Sequence, residues 1–178
     1  MDQIIDMIND RVEKIKNIYL VLLKTPNIRD WPVNVLEKFS CCLRIDIFMD
    51  NDVILEMGPC DLNTLRFYVV ADGEVMIEGV PLGDMEELSD YTIGRSRYFG
   101  EWAIIKGFDE RTSNVVSKGS KTVLLSIPKK DFKRILSLIG DYAIHRFQDY
   151  GLQLYHFSPK HSKRFNSPIR LPKERGAD

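Results

Sequence analysis

The hydrophobic period of this chain changes twice, and that order limits the folds open to it. Residues 2–24 follow a helical period: Ile4, Ile8, Ile15, Tyr19 and Leu22 fall near one face, and Ile5, Val12, Ile18 and Leu23 widen it. From Leu43 the period drops to two, with Ile45, Ile47, Val53, Leu55, Leu65, Phe67, Val69, Val75 and Ile77 alternating with polar residues. After Pro128 helical spacing returns in Phe132, Ile135, Leu136 and Ile139. Helices, then about eight short strands, then helices again predict a mainly β fold with flanking helices. Its centre is an antiparallel β-roll or jelly-roll barrel rather than a parallel sheet.

The punctuation sharpens the boundaries. Thr25-Pro26-Asn27 ends the first helix, because the residue before a proline resists the helical basin. Asp30 fits an N-cap and Pro32 a first turn, which gives a second helix over 32–42 with Val35, Leu36 and Phe39 inward. Asp50-Asn51-Asp52, Gly58-Pro59, Asp72-Gly73 and Gly79 read as turns, and Asp72-Gly73 is the strongest hairpin signal. Strands are also expected near 90–93, 114–117 and 122–127. Ser126 then fits a cap and Pro128 a first turn of the next helix; Gly140 breaks it, and a last helix runs from Tyr142 to about Tyr155. Residues 158–178 carry three prolines and six Lys/Arg against two acids and read as a flexible basic tail. The expected division is therefore N-terminal helices at 1–42, a β-roll at 43–127, C-terminal helices at 128–157 and the tail at 158–178.

Composition removes several function classes. A formal net charge of −1 gives no general electrostatic reason to bind DNA, RNA or an anionic membrane. No apolar run reaches membrane-spanning length, and Asp2, Asp6, Asp10 and Glu13 speak against a signal peptide. Cys41, Cys42 and Cys60 lack metal-ligand spacing and fit a reduced, cytoplasmic setting. His145, His156 and His161 have no ligand-like spacing with carboxylates, so no metal is expected. No nucleophile motif, Walker loop or kinase signature is present, which points away from an enzyme and from a bound cofactor.

What remains is the segment Tyr98-Phe99-Gly100-Glu101-Trp102-Ala103-Ile104-Ile105, followed after a short loop by Arg111-Thr112-Ser113. A glycine lets backbone N–H groups approach a ligand closely. The Glu101 carboxylate can accept from a sugar hydroxyl, and Arg111 offers a planar fork of donors suited to phosphate. Backbone N–H groups over Trp102-Ala103-Ile104 add donors without side-chain entropy. This segment resembles the phosphate-binding cassette of the cyclic nucleotide-binding domain family, which reads roughly Phe-Gly-Glu-Leu-Ala-Leu, a loop, then Arg-Ala/Thr-Ala. Three further stretches, 52–58, 67–75 and 124–132, are similar to the family's strands and last strand–helix junction, so the resemblance covers roughly residues 18–155.

The resemblance implies a cyclic nucleotide ligand, cGMP or cAMP, held by Gly100, Glu101, Trp102, Ala103, Arg111, Thr112 and Ser113 within a cassette at 98–113. It implies a regulatory module for signal transduction, attached to or bound by an effector such as a kinase, channel or exchange factor. Thr112 leans toward cGMP, since cGMP-preferring relatives place Thr there. The chain departs from the pattern twice. Trp102 stands where Leu, Met or Ile is usual, and packs in the roll or narrows the pocket. Ser96 stands where a Gly is usual, with Gly94 as its substitute. The alternative is a ligand-free member of the fold acting in structure or protein interaction. A DNA-binding regulator is disfavoured, because the short tail holds no room for a recognition helix. Aromatic residues that could lie over a base are Tyr142, Phe147, Tyr150 and Tyr155.

Overall fold

A computed structural model of the chain describes residues 2–81, 88–107, 110–111, 113–141 and 145–147. Two helices lead: α1 (Asp2–Leu22) and α2 (Val33–Cys42). The strands β1 (Arg44–Phe48), β2 (Val53–Leu55), β3 (Gly58–Pro59), β4 (Arg66–Pro81), β5 (Leu88–Ile93) and β6 (Tyr98–Phe99) follow. Helix α3 (Glu101–Lys106) separates β6 from β7 (Glu110–Arg111) and β8 (Val115–Pro128), and α4 (Lys129–Ser137) comes last. One antiparallel sheet is ordered β1-β8-β4-β5, with β2 also on β8 and β6 also on β4; β3 and β7 form a separate pair. This is the expected antiparallel core with flanking helices, although the described strands do not close into a barrel.

Strand alternation sorts the sheet into two faces. Phe67, Val69, Leu125 and Ile127 face the helices, where they join Ile18, Leu22, Trp31, Leu36, Phe39, Phe132 and Phe147 in one buried cluster. Phe67 stacks on Phe132 with centroids 4.2 Å apart and planes 5° from parallel. The opposite face carries Tyr68, Val70, Val75, Phe99, Val115 and Leu124. Among the described residues no helix is long and apolar enough to cross a membrane.

The structure corrects several local expectations. Asp72-Gly73 is not a hairpin turn. β4 runs straight through it and stays paired with β8, from Arg66↔Pro128 to Ile77↔Val115, with register shifts around Asp72. Gly73 has φ +78°, and a Cβ there would lie 2.6 Å from the Lys121 carbonyl oxygen. The left-handed conformation that an Asp-Gly pair favours serves a bulge as well as a turn. Thr122, fully buried, fills the irregularity by donating to the Glu74 carbonyl at 2.9 Å. Gly79 likewise lies inside β4, near a register shift against β5, and Gly58-Pro59 forms β3.

Helix starts differ too. α2 begins after Pro32 with no side-chain cap, and Asp30 instead accepts from Arg146 at 3.2 Å. Ser126 does not cap α4. It lies in β8, and Pro128 occupies the cap position. In α1 Ile18 and Leu22 are buried, whereas Ile4, Ile5, Ile8 and Val12 of its apolar stripe, and Met7 beside them, stay exposed.

Candidate functional site

Where β6 ends, the chain turns sharply into α3. Gly100 makes that turn at φ +89°, and a Cβ there would lie 2.6 Å from the Arg66 carbonyl oxygen and 3.5 Å from the Tyr68 ring. No L side chain fits this approach, so glycine here is a steric requirement of the β4–β6 contact. The entry to β6 has its own left-handed residue. Ser96, at φ +61°, takes the strained conformation itself and donates its N–H to Val70 at 2.8 Å. Gly94 has no positive φ and does not substitute for it. Ser, unlike a β-branched residue, tolerates this basin at modest cost.

Glu101 opens α3 and is buried, with 2% of its surface exposed. Burial pushes its carboxyl up to about 8, against a backbone hydrogen bond that pulls it down. It is therefore largely protonated at neutral pH. Ala103 is half-buried, and its carbonyl accepts the Gly107 N–H at 3.0 Å, which closes α3. The leading N–H groups of such a short helix have no partner within it. Ile104 and Ile105 with Leu136 and Gly140 border a cleft of about 490 Å³ between α3 and the end of α4.

Arg111 lies in β7, in register with Gly58 of β3. It is half-buried, and among the described residues its guanidinium makes no hydrogen bond or ion pair. In particular no salt bridge joins it to Glu101. Its charge acts on Tyr68 instead. Ser113 is half-buried beside Asn114, which anchors the loop by accepting the Met57 N–H at 2.7 Å and donating to Glu78 at 3.2 Å. Thr112 and the Trp102 side chain lie outside the described residues. Of the aromatic candidates, Phe147 is wholly buried among Trp31, Phe67, Tyr98 and Phe132, so it is core and not a cover for a ligand. Tyr142, Tyr150 and Tyr155 fall outside the described residues.

A second polar group on the same sheet face was not anticipated from the sequence. The register places Arg44, Ser126, Tyr68 and Phe99 in one row across β1, β8, β4 and β6. Arg66 donates to the Ser126 hydroxyl through Nε at 3.3 Å and Nη2 at 3.0 Å. Ser126 donates to Asp46, which also receives Arg44 Nε at 2.8 Å. Tyr68 lies against this network, its ring stacked on Phe99 at 4.9 Å. Burial raises its phenol; the charges of Arg66, Arg111 and Arg44 oppose the rise and that of Asp46 adds to it. The strand alternation that put Phe67 and Val69 toward the helices already held the signal, since it sends Arg66, Tyr68 and Ser126 to the other face. No group of residues suited to a metal ion occurs among the described residues.

No family model matches the chain. It is 26% identical over 141 residues to cGMP-dependent protein kinase isozyme 1 of Drosophila melanogaster, a match over 79% of this chain and 17% of that protein. It is 24% identical over 147 residues to cGMP-dependent protein kinase 2 of Mus musculus, over 82% and 19%. The chain thus spans less than a fifth of the length of these relatives. Among solved structures, the regulatory domain of Toxoplasma gondii PKA in co-crystal with cAMP superposes with a TM-score of 0.67 at 17% identity, covering 82% of this chain and 52% of that one. A second PKA regulatory domain, bound to Sp-2Cl-cAMPS, gives 0.62 at 20% identity over 82% and 94%. These neighbours are regulatory parts of kinases rather than catalytic ones.

Proposed function

With the fold of the cyclic nucleotide-binding domains as the premise, we propose that this chain is a regulatory module that binds cGMP or cAMP. One observation carries the reading: a half-buried guanidinium, Arg111, lacks a partner among the described residues, and its charge reaches Tyr68, whose ring lies against the Gly100 turn. A charged group that has given up part of its water without gaining a partner is costly. An anion that meets Arg111 removes that cost. Arg111 takes the cyclic phosphate by charge-assisted hydrogen bonds, assisted by the N–H groups at Trp102, Ala103 and Ile104 and by the loop at Thr112 and Ser113. Glu101 meets the ribose 2′-hydroxyl beside the Gly100 turn. The cGMP-dependent kinase relatives and Thr112 favour cGMP, and the cAMP bound to the structural neighbours favours cAMP, so both belong in the same assay.

Binding becomes signal only if it favours one conformation over another. The α3–α4 cleft supplies a place for that difference, because α3 starts at the ligand face and Ile104 ends in the helical core. A ligand that draws α3 inward changes the packing of α4, and an attached or partner kinase, channel or exchange factor reads the change.

Calorimetric titration with cGMP and cAMP tests the proposal. Arg111→Ala should weaken binding about a hundredfold or more, the scale of losing a hydrogen-bonded charge pair, with circular dichroism unchanged. Absence of binding to the unmutated chain at millimolar ligand would instead favour a ligand-free interaction module.

A further inference from the structure

We propose that Tyr68 is a ligand-contacting residue of this pocket, its hydroxyl donating to the anion that Arg111 holds; the inference rests on the nucleotide-binding reading and adds a contact to it. Tyr68 is 7% exposed, and among the described residues its hydroxyl has no hydrogen-bond partner. The hydroxyl is not sealed from solvent, since Trp31 Nε1 is the one buried side-chain polar atom without a partner among the described residues, so it is open to a molecule that enters from outside. Its position explains what would supply the partner. The ring is clamped between Phe99, stacked at 7°, and the Gly100 turn, 3.5 Å from where a Cβ would stand. It cannot swing away to solvent without opening both contacts.

The surroundings hold this hydroxyl as a donor. Burial raises the phenol's ionisation further above neutrality, and Arg66, Arg111 and Arg44 do not overcome that effect. Tyr68 therefore keeps its proton at physiological pH, and near three guanidinium groups its hydroxyl favours an anion as the acceptor. Arg66 is already committed to Ser126, and Arg44 to Asp46. Arg111 alone of the three guanidinium groups has no partner among the described residues, so a ligand anion is the one group that satisfies Arg111 and Tyr68 together. The Arg44–Asp46–Ser126–Arg66 network sets two guanidinium charges against one carboxylate and so keeps a net positive charge beside Tyr68, which also favours an anion there.

The test is Tyr68→Phe, which removes the hydroxyl and keeps the ring. Titrated with cGMP and cAMP, the variant should bind about tenfold more weakly than the unmutated chain, the cost of one hydrogen bond to a charged group. Its unliganded melting temperature should not fall. A second readout uses the unmutated chain: followed by ultraviolet absorbance, one phenol should ionise at higher pH when ligand is bound, because the anion adds negative charge beside it. Unchanged affinity in Tyr68→Phe, alongside lost affinity in Arg111→Ala, overturns this inference and leaves the binding reading intact. Failure of any phenol titration to move on binding overturns it as well. If the unmutated chain binds neither nucleotide, both readings fall together.

Discussion

The two faces of one sheet, built from the same strands, are covered differently: one by a large aromatic cluster against the helices, the other by a smaller apolar cluster with a polar network beside it. Toward the helices, Phe67, Val69, Leu125 and Ile127 meet a tight group of aromatic rings, with Phe147 edge-on to Phe67 at 6.0 Å. On the other face, one residue away along each strand, stand Arg66, Tyr68 and Ser126, beside the apolar Val70, Val75, Phe99 and Leu124. The first face has spent its apolar surface on packing, and its one orphaned polar atom is Trp31 Nε1 among the described residues. The second retains the Tyr68 hydroxyl, without a partner among the described residues. A single-residue alternation thus separates the helix-facing aromatic core from the face that carries the Arg66–Ser126–Asp46 network.

Three substitutions probe that division. Phe67→Ala should have the largest effect, a loss of about 3–5 kcal/mol of unfolding free energy in denaturant titration, because it empties the centre of the ring cluster. Nucleotide affinity measured well below the melting point should change little; an affinity loss as large as that of Arg111→Ala would show that the faces are not separable. Gly100→Ala comes next. The added methyl would sit 2.6 Å from a backbone oxygen at φ +89°, so the turn must shift. About 2 kcal/mol of stability should be lost, and binding with it, since both the β4 contact and the start of α3 move.

Glu101→Gln is the subtlest, and its sign depends on pH. The carboxyl ionises near 8 in the folded chain and near 4.5 when exposed. Between those values the folded state holds a proton that the unfolded state has released, so wild-type stability falls as pH rises through that window. Gln cannot ionise and escapes the loss. The variant should match the wild type near pH 5 and exceed it at pH 9 by on the order of 2–3 kcal/mol, measured by thermal melts without ligand. Parallel pH profiles for the two proteins would mean that Glu101 is not buried as described.

The same division separates what the residues reveal from what they conceal. The periods of residues 2–24, 43–127 and 128–139 announce helices, strands and helix again, since amphipathic spacing is local and must match the element that buries it. The Gly100 turn is also legible, because a glycine between Phe99 and Glu101 marks a tight approach, whereas the roles of Glu101 and Arg111 rest on the resemblance of their segment. Asp72-Gly73 misleads for a physical reason. The pair specifies a left-handed backbone, but only the arrival of β8 from some fifty residues downstream makes that kink a bulge inside a long strand.

The sequence by itself determined which segments are helical or extended, which residues can enter a core, and which side chains have chemistry suited to a phosphate. Only the tertiary structure decided that Ser126 ties Arg66 to Asp46 rather than capping a helix, that Phe147 is core, and that Glu101 is dry enough to keep its proton at neutral pH. Those properties arise from register and burial across strands far apart in the chain, and the cost of removing a charge from water depends on every neighbour that displaces it.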